Sequence, residues 1–441
     1  MSMFLESRPA LSCPPRARFR ALLLAAATTV AGLTGGCDDG KSAGGTGGAG
    51  RGASALAPQV AILSSNYTTT SSVSLYAPRS GALVDGCAKS GVTTPAVTQP
   101  LSGNTILPSQ PQVGGHLVVL DGTTSVLTFV DPATCAATGQ LSVATAGFKA
   151  NPHDIVTLSS TKAYVTRYET NAAPTADPSD FDEGDDLLII DPTLLTITGR
   201  IALTPYATPG DDGTPTQARP DRAVLANGLV YVTLNSMDAT FAATGPGRVV
   251  IVDPTTDTVT GVIDLTGFKD CSGLSYASDT KRLYVACGGA FSDTDQVGES
   301  GLVEVVLSGA APVTGRALHA AAIGTGTDTL NFFYAAVLGD TAFVGTLGQY
   351  PSMDGSFPGT RDGFYAVSFA TGVATPLASG AAGQLGGALA DPVTHRVFLP
   401  DGSDSAPLVH VFDASGGTPV EVPGFEPNPS THLPPRSIAG L

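Results

Sequence analysis

The chain has no tryptophan, only 22 lysines and arginines against 38 aspartates and glutamates, and no long amphipathic helical pattern. Each shortage excludes something. Without tryptophan the repeats of quinoprotein enzymes are ruled out, and without C-x-x-C-H so is covalent haem attachment. The missing G-x-S-x-G and H-E-x-x-H remove the serine elbow and the zinc helix. A formal net charge of −16 leaves no basic stripe for nucleic acid or an anionic membrane surface. The six histidines are scattered singly. Any active site must therefore be assembled by folding.

What is present begins with Arg16, Arg18 and Arg20, then ALLLAAATTVAGL, then Thr34, Gly35, Gly36 and Cys37. A charged start, an apolar run and a small-residue cleavage site form an export signal. It resembles a bacterial lipoprotein signal, which implies that Cys37 becomes the lipidated first residue. Thr34 stands where a large apolar residue is usual, with Leu33 one step further out. The run is too short and too rich in Gly and Thr to span the ~20 residues of a bilayer helix. Residues 1–36 are read as the signal, 37–57 as a flexible Gly-rich tether, and 58–441 as the folded domain. Losing four arginines and one glutamate with the signal takes the charge from −16 to −19. The expected location is the bacterial cell envelope, with membrane contact through the lipid only.

The 53 glycines and 33 prolines punctuate many short β-branched runs. Between Arg219 and Leu265 four of them follow one another: DRAVLANG, LVYVTLNS, RVVIVDP and TVTGVIDL. Together they write one four-stranded antiparallel sheet, and the pattern recurs along the chain. The turn aspartates Asp131, Asp191 and Asp253 lie 60 and 62 residues apart, and Asp413 follows after 160. A four-stranded sheet repeated every ~40–60 residues is the signature of a β-propeller. Seven blades are counted. The first lacks its innermost strand, and LPPRSIAGL at residues 433–441 has the pattern to supply it, closing the ring. The fold class is therefore all-β, a seven-bladed propeller.

Tyr164-Val165-Thr166, Tyr231-Val232-Thr233 and Tyr284-Val285-Ala286 fall in second strands, and Val130-Asp131-Pro132, Ile190-Asp191-Pro192 and Val252-Asp253-Pro254 end third strands. These residues resemble the YVTN-type propeller repeats of bacterial surface proteins. Some propellers related to these, lactonase-like and nitrite-reductase-like, are enzymes or carry cofactors, so the resemblance speaks for the fold and not for an activity.

Export makes disulfides the natural reading of the cysteines. Cys271 and Cys287 are symmetric about the hairpin turn near Asp279 and should face one another. Cys87 and Cys135 are expected at opposite ends of adjacent blades, which argues against a bond between them unless the long loop after Cys87 folds back or the register of blade one differs.

If innermost strands run from top to bottom, the long loops all lie on top, the acidic face where recognition would sit. Residues opening the inner strands should ring the channel mouth: His153, Asp154, Arg219, Asp221, Arg222, Lys269, Asp270, His432 and Arg436. The acidic residues Asp182, Asp185 and Asp186 have oxygens suited to Ca²⁺ but lack EF-hand spacing, so solvated loop charge is the default and no cofactor is expected. The first functional expectation is a non-catalytic binding or scaffold protein whose partner is an envelope protein, a small polar ligand or a cation. The alternative is a lactonase-like or other hydrolase with a metal held by Asp221 and Asp270. On the anchor, Cys37→Ser should move the protein from the membrane fraction to the soluble fraction, read by fractionation and immunoblot; unchanged partition would remove the lipid reading.

Overall fold

Within each blade neighbouring strands pair antiparallel, and among the described residues they build seven sheets, set as blades around a central channel. The computed structural model describes residues 60–291, 295–309, 311–323, 328–330, 335–350, 352, 356, 358–403 and 407–441. The signal, the tether and Cys37 lie outside the described residues. Among those described, helix is confined to three single 3₁₀ turns, and no helix is long and apolar enough to cross a membrane.

From the channel outwards, blade three comprises Pro152–Ser159, Lys162–Thr170, Gly184–Asp191 and Thr196–Ala202. Blade four comprises Pro220–Ala226, Leu229–Leu234, Pro246–Asp253 and Thr258–Lys269. Blade five comprises Cys271–Ala277, Arg282–Gly288, Ser300–Val306 and Val313–His319. In blade six the inner strand is split, Thr329–Leu330 and Ala336–Leu338 both pairing with Thr341–Leu347. Blade one closes the ring: Pro435–Gly440 lies inside Val60–Ser65, with Ile438 opposite Ile62.

There is no single core. Among the described residues the buried apolar side chains form seven clusters, one at each interface between neighbouring blades. Both faces of every blade are therefore covered, and successive side chains of a strand serve opposite interfaces. This accounts for the repeat. Tyr231 packs towards blade five and Val232 towards blade three; Tyr164 and Val165 divide in the same way. The third residue then links blades by hydrogen bonds. Thr166 Oγ1 accepts from Asp154 N of its own blade and donates to Asp221 O of the next, both at 2.8 Å. Thr233 Oγ1 accepts from Arg222 N at 3.0 Å and donates to Ser272 O at 2.9 Å.

The turn aspartates have a local cause as well. Asp131 Oδ1 accepts from Ala133 N, and Asp253 Oδ1 from Thr255 N, each folding the turn into the outer strand. The fourth residue after each aspartate, Cys135 or Asp257, is left-handed.

Both disulfides are formed. Cys271 and Cys287 are directly paired, Cα atoms 3.9 Å apart. Gly247 of blade four sits against this bond, where a Cβ would come within 2.4 Å of Cys271 Sγ. Cys87 and Cys135 are also bonded, Cα atoms 4.9 Å apart, which corrects the expectation that the blades hold them apart. The outer strand of blade one is not the short ALV but runs Ala82–Lys89, and a bulge sets extra residues of it opposite Ser74. A twisted sheet leans its outer strand across its neighbour. Cys87 thereby joins Cys135 and Val130 of blade two in one cluster. Two disulfides accord with a non-reducing, extracytoplasmic location.

Closure can be tested directly. Residues 431–441 place Ile438 in the interface with blade seven and Ala439 in the interface with blade two. Deleting them should cost more than the ~2–5 kcal/mol of a single large-to-small core substitution. A truncated protein melting within a degree or two of the intact one would contradict ring closure as the source of stability.

Candidate functional site

Two backbone devices shape the top of the channel. The residue entering an inner strand is left-handed at Asn151, Arg219 and Asp270, each with φ near +50°, a conformation disfavoured for side chains other than glycine. Immediately afterwards the inner strand bulges, between Pro152 and Asp154, between Pro220 and Ala223, and between Cys271 and Gly273. Bulges redirect side chains. The residues so displaced are His153, Asp221 with Arg222, and Ser272.

Asp221 is the hub of the result. Its Oδ1 lies 3.1 Å from His153 Nδ1 and 3.4 Å from Arg222 Nε, and its Oδ2 accepts from Asn235 Nδ2 at 3.3 Å. Burial pushes this carboxyl up, but His153, Arg222 and Asn235 together outweigh it and hold the group below its ordinary value. The His153 ring stacks on Tyr168 with centroids 4.2 Å apart. Arg222 Nη1 also donates to His153 O at 3.0 Å and Leu107 O at 3.3 Å, joining blades two, three and four. Asp154 is a second tie. It accepts from Ser109 N, Ile155 N and Ala223 N, and burial raises its pKa against the pull of Arg222.

Asp270 is different. It is 1% exposed, and neither carboxylate oxygen has a hydrogen-bond partner. Burial, reinforced by the charge of Asp221, raises its pKa to about 8. His153 is 4% exposed with Nε2 unpartnered, and the buried Oδ1 of Asn235 is unpartnered too. Buried polar atoms normally find partners. Here His153 and Asn235, both bonded to Asp221, and Asp270 leave such atoms unpartnered.

The remaining mouth residues are spent elsewhere. Arg219 is covered by Tyr168 and Phe241 and pairs with Glu169 at 3.1 Å. Lys269 pairs with Asp211 and Glu299, each at 2.7 Å. Arg436 donates to Ser65 O at 3.2 Å and lies over Tyr67. His432 points outward, its side chain 70% exposed, and contacts Glu426. The structure thus brings His153, Asp154, Asp221, Arg222 and Asp270 together, with Arg219 beside them, and leaves Lys269, His432 and Arg436 out.

Nor does the acidic run converge. Asp182 accepts from Thr175 N, Asp185 from Ala218 N and Arg219 N, and Asp186 is bound by Arg167 and Arg200. Asp185 and Asp186 are latches, between blades and within one. Among the described residues no group of three or more His, Cys, Asp or Glu is placed to hold a metal, and Asp221 is already engaged by three partners.

Tyr168 and Asn235 escaped the sequence reading, yet each lies two residues after the threonine of its Tyr-Val-Thr triplet. The repeat marks that position as facing the mouth. Lower down, the channel holds a cavity of about 450 Å³ lined by residues such as Val224, Ser275, Ala336, Ala388 and Ile438. Its lining is largely apolar, with Ser109, Gln110, Ser275 and Asp391 as polar members and the C-terminal Leu441 at its edge.

Fold and mouth together define a seven-bladed β-propeller with buried, unpartnered polar side chains at the top of its channel. Among solved structures it is similar to a periplasmic gluconolactonase of Pseudomonas aeruginosa, with a TM-score of 0.53, 11% identity and coverage of 87% of this chain and 99% of that one. A protein from Lactobacillus plantarum gives 0.54, 12%, 87% and 99%. A putative 6-phosphogluconolactonase from Bacteroides uniformis gives 0.51, 10%, 87% and 100%. At these identities the similarity shows the fold alone. No family model matches the chain, and no curated protein matches it in sequence.

The raised pKa of Asp270 has a stability consequence. Unfolded, the group ionises near 3.8; folded, it stays protonated to about 8. Between those values the unfolded state gains by ionising, so this residue's contribution to stability falls as pH rises and levels off above 8. Asp270→Asn should leave the melting temperature unchanged below pH 4 and raise it progressively up to pH 8. Calorimetry across pH 4–9 checks this; an equal gain at every pH would mean that the carboxyl is compensated in the folded state.

Proposed function

We propose that this protein is an extracytoplasmic, lipid-anchored propeller of the YVTN-repeat type that binds a small polar ligand in its channel mouth without catalysis. The observation that carries this reading is that Asp270, His153 and Asn235, all at the top of inner or second strands, are buried with carboxyl, Nε2 and Oδ1 atoms that have no partner. Leaving such atoms bare costs ~1–3 kcal/mol each, more for a charged group. A ligand that fills them recovers that energy on binding, which is how a folded scaffold stores affinity. The long top loops, read from the sequence as acidic, surround the entrance and supply the rim.

A second reading, hydrolysis of a lactone, is favoured by one feature of the same site. Burial and the charge of Asp221 raise the pKa of Asp270 to about 8, and the imidazole of His153 lies 3.1 Å from Asp221, so a raised carboxyl and an imidazole, the group types of general acid–base catalysis, lie at one mouth. Two of the similar structures carry lactonase names.

The readings separate experimentally. A thermal-shift screen of small polar compounds should find ligands that stabilise the protein by about 2.7 kcal/mol at a hundred times their Kd. His153→Gln and Asn235→Ala should abolish the shift while keeping the fold. Glucono-δ-lactone should hydrolyse no faster with the protein than in buffer; an acceleration lost in Asp270→Asn would establish the hydrolase instead. Ligands whose effect survives both mouth substitutions would overturn the site.

A further inference from the structure

We infer that the lower cavity of the channel is a second ligand site, separate from the mouth, for a primary carboxamide on a short apolar stem. Blade two shows how such a group is held. Its inner strand is only Thr105–Ile106, and residues 107–112 leave the sheet to run as a strap inside the ring. Ser109 N donates to Asp154 Oδ1 of blade three at 3.0 Å, and Pro111 lies against Gly440 of blade one. Two glutamines of the strap take backbone donors of other blades. Gln110 Oε1 accepts from Leu225 N of blade four at 3.0 Å, and Gln112 Oε1 accepts from Thr157 N of blade three at 3.0 Å and from its Oγ1 at 2.7 Å. Gln112 Nε2 in turn donates to Gln110 O at 2.6 Å.

The same backbone groups recur in the blades that the strap does not reach. Thr157 and Leu225 hold one place in the repeat, opposite the residue before Tyr164 and Tyr231. In that place Tyr276 stands opposite Leu283, before Tyr284; Val337 opposite Ala342, before Phe343; and Ala390 opposite Val397, before Phe398. The inner strands all run in one direction, and in a strand of L-residues the face taken by a side chain fixes the edge to which its own N–H and C=O point. Leu225, Tyr276, Val337 and Ala390 each pack towards the preceding blade. Their N–H and C=O groups therefore point into the channel, as the bond from Leu225 N shows. On blades three and four the strap meets this edge; on blades five, six and seven Tyr276, Val337 and Ala390 line the cavity of about 450 Å³ instead.

A strand edge offers a donor and an acceptor from each such residue, so the group that fits must accept and donate at once. A carboxamide does both. A carboxylate only accepts and would meet the edge carbonyls as well as the N–H groups; an ammonium only donates. The charge of the wall agrees. Asp391 is the one charged side chain among the described lining residues, and its oxygens are taken by Val393 N at 2.9 Å and Thr394 Oγ1 at 2.6 Å. Ala335, Ala336, Ala388, Leu389 and Ile438 make the rest of the surface short and apolar, which suits a hydrocarbon stem. The volume lies within the ~300–1,000 Å³ of small-molecule sites.

The experiment titrates the full chain with butyramide, butyrate and 2-pentanone, three probes of one shape that accept and donate, only accept with charge, and only accept without it. Binding is followed by calorimetry and by amide hydrogen exchange resolved to single residues. Butyramide should bind at least tenfold tighter than the other two and slow exchange at Tyr276, Val337 and Ala390. Val337→Pro and Ala390→Pro each take one N–H from the channel edge and none from the ladder. Each should weaken butyramide about fivefold, the worth of one neutral hydrogen bond; where a proline variant does not fold, exchange in the unaltered protein decides. Asp270→Asn and His153→Gln should leave this binding unchanged. Binding lost in those two variants would put the probe in the mouth and overturn the second site while sparing the mouth reading. Equally tight 2-pentanone would make the cavity merely apolar and overturn the carboxamide. No binding of butyramide, or binding without slower exchange at the three amides, would overturn the inference outright.

Discussion

Everything in this molecule depends on the interface between one blade and the next. A four-stranded sheet of this size covers nothing by itself, and each blade becomes stable only when both its faces are packed. Seven apolar clusters between seven blades satisfy that demand only if the circle closes. The constraint reaches single residues, since a strand whose neighbours alternate between two interfaces must be apolar at consecutive positions. Tyr231 and Val232 are adjacent in sequence because they belong to different halves of the core.

The polar groups that hold the blades in register use the same geometry. Thr166 and Thr233 sit on one strand, accept from a second and donate to a third, so inner strands of adjacent blades are tied at the height where the channel opens. Asp154, Asp185 and Arg222 repeat this with charged groups. The mouth is therefore mostly architecture. What the architecture there does not use is a few atoms of His153, Asn235 and Asp270.

Much of the fold was legible because the repeat is written in residue types with local causes: turn aspartates that accept from the backbone two residues on, and β-branched pairs that alternate in facing. The pairing of Cys271 with Cys287 was legible for the same reason, since a hairpin's symmetry is local. The bond between Cys87 and Cys135 was not. It depends on a bulge opposite Ser74 and on the lean of one blade over the next, neither of which leaves a mark within a few residues. The mouth shows the same division. The chain order placed His153, Asp221, Arg222 and Asp270 at the opening, but which of them is satisfied is decided by partners from other blades. Lys269 and Asp270 are neighbours in sequence; one is paired twice and the other is bare. Tyr168 and Asn235 were visible only to an alignment of the repeats against one another.

The seam in blade one carries a mechanical consequence. Val60 and Gly440 are paired at the same end of two antiparallel strands, so a force drawing the two ends apart would open their hydrogen bonds one at a time, as a zipper opens. A load applied to the N-terminal side alone enters through the second strand of blade one and is passed to the body of that sheet without crossing the seam in this way. A propeller held by that end can be pulled and sheared at a surface while the seam stays unloaded.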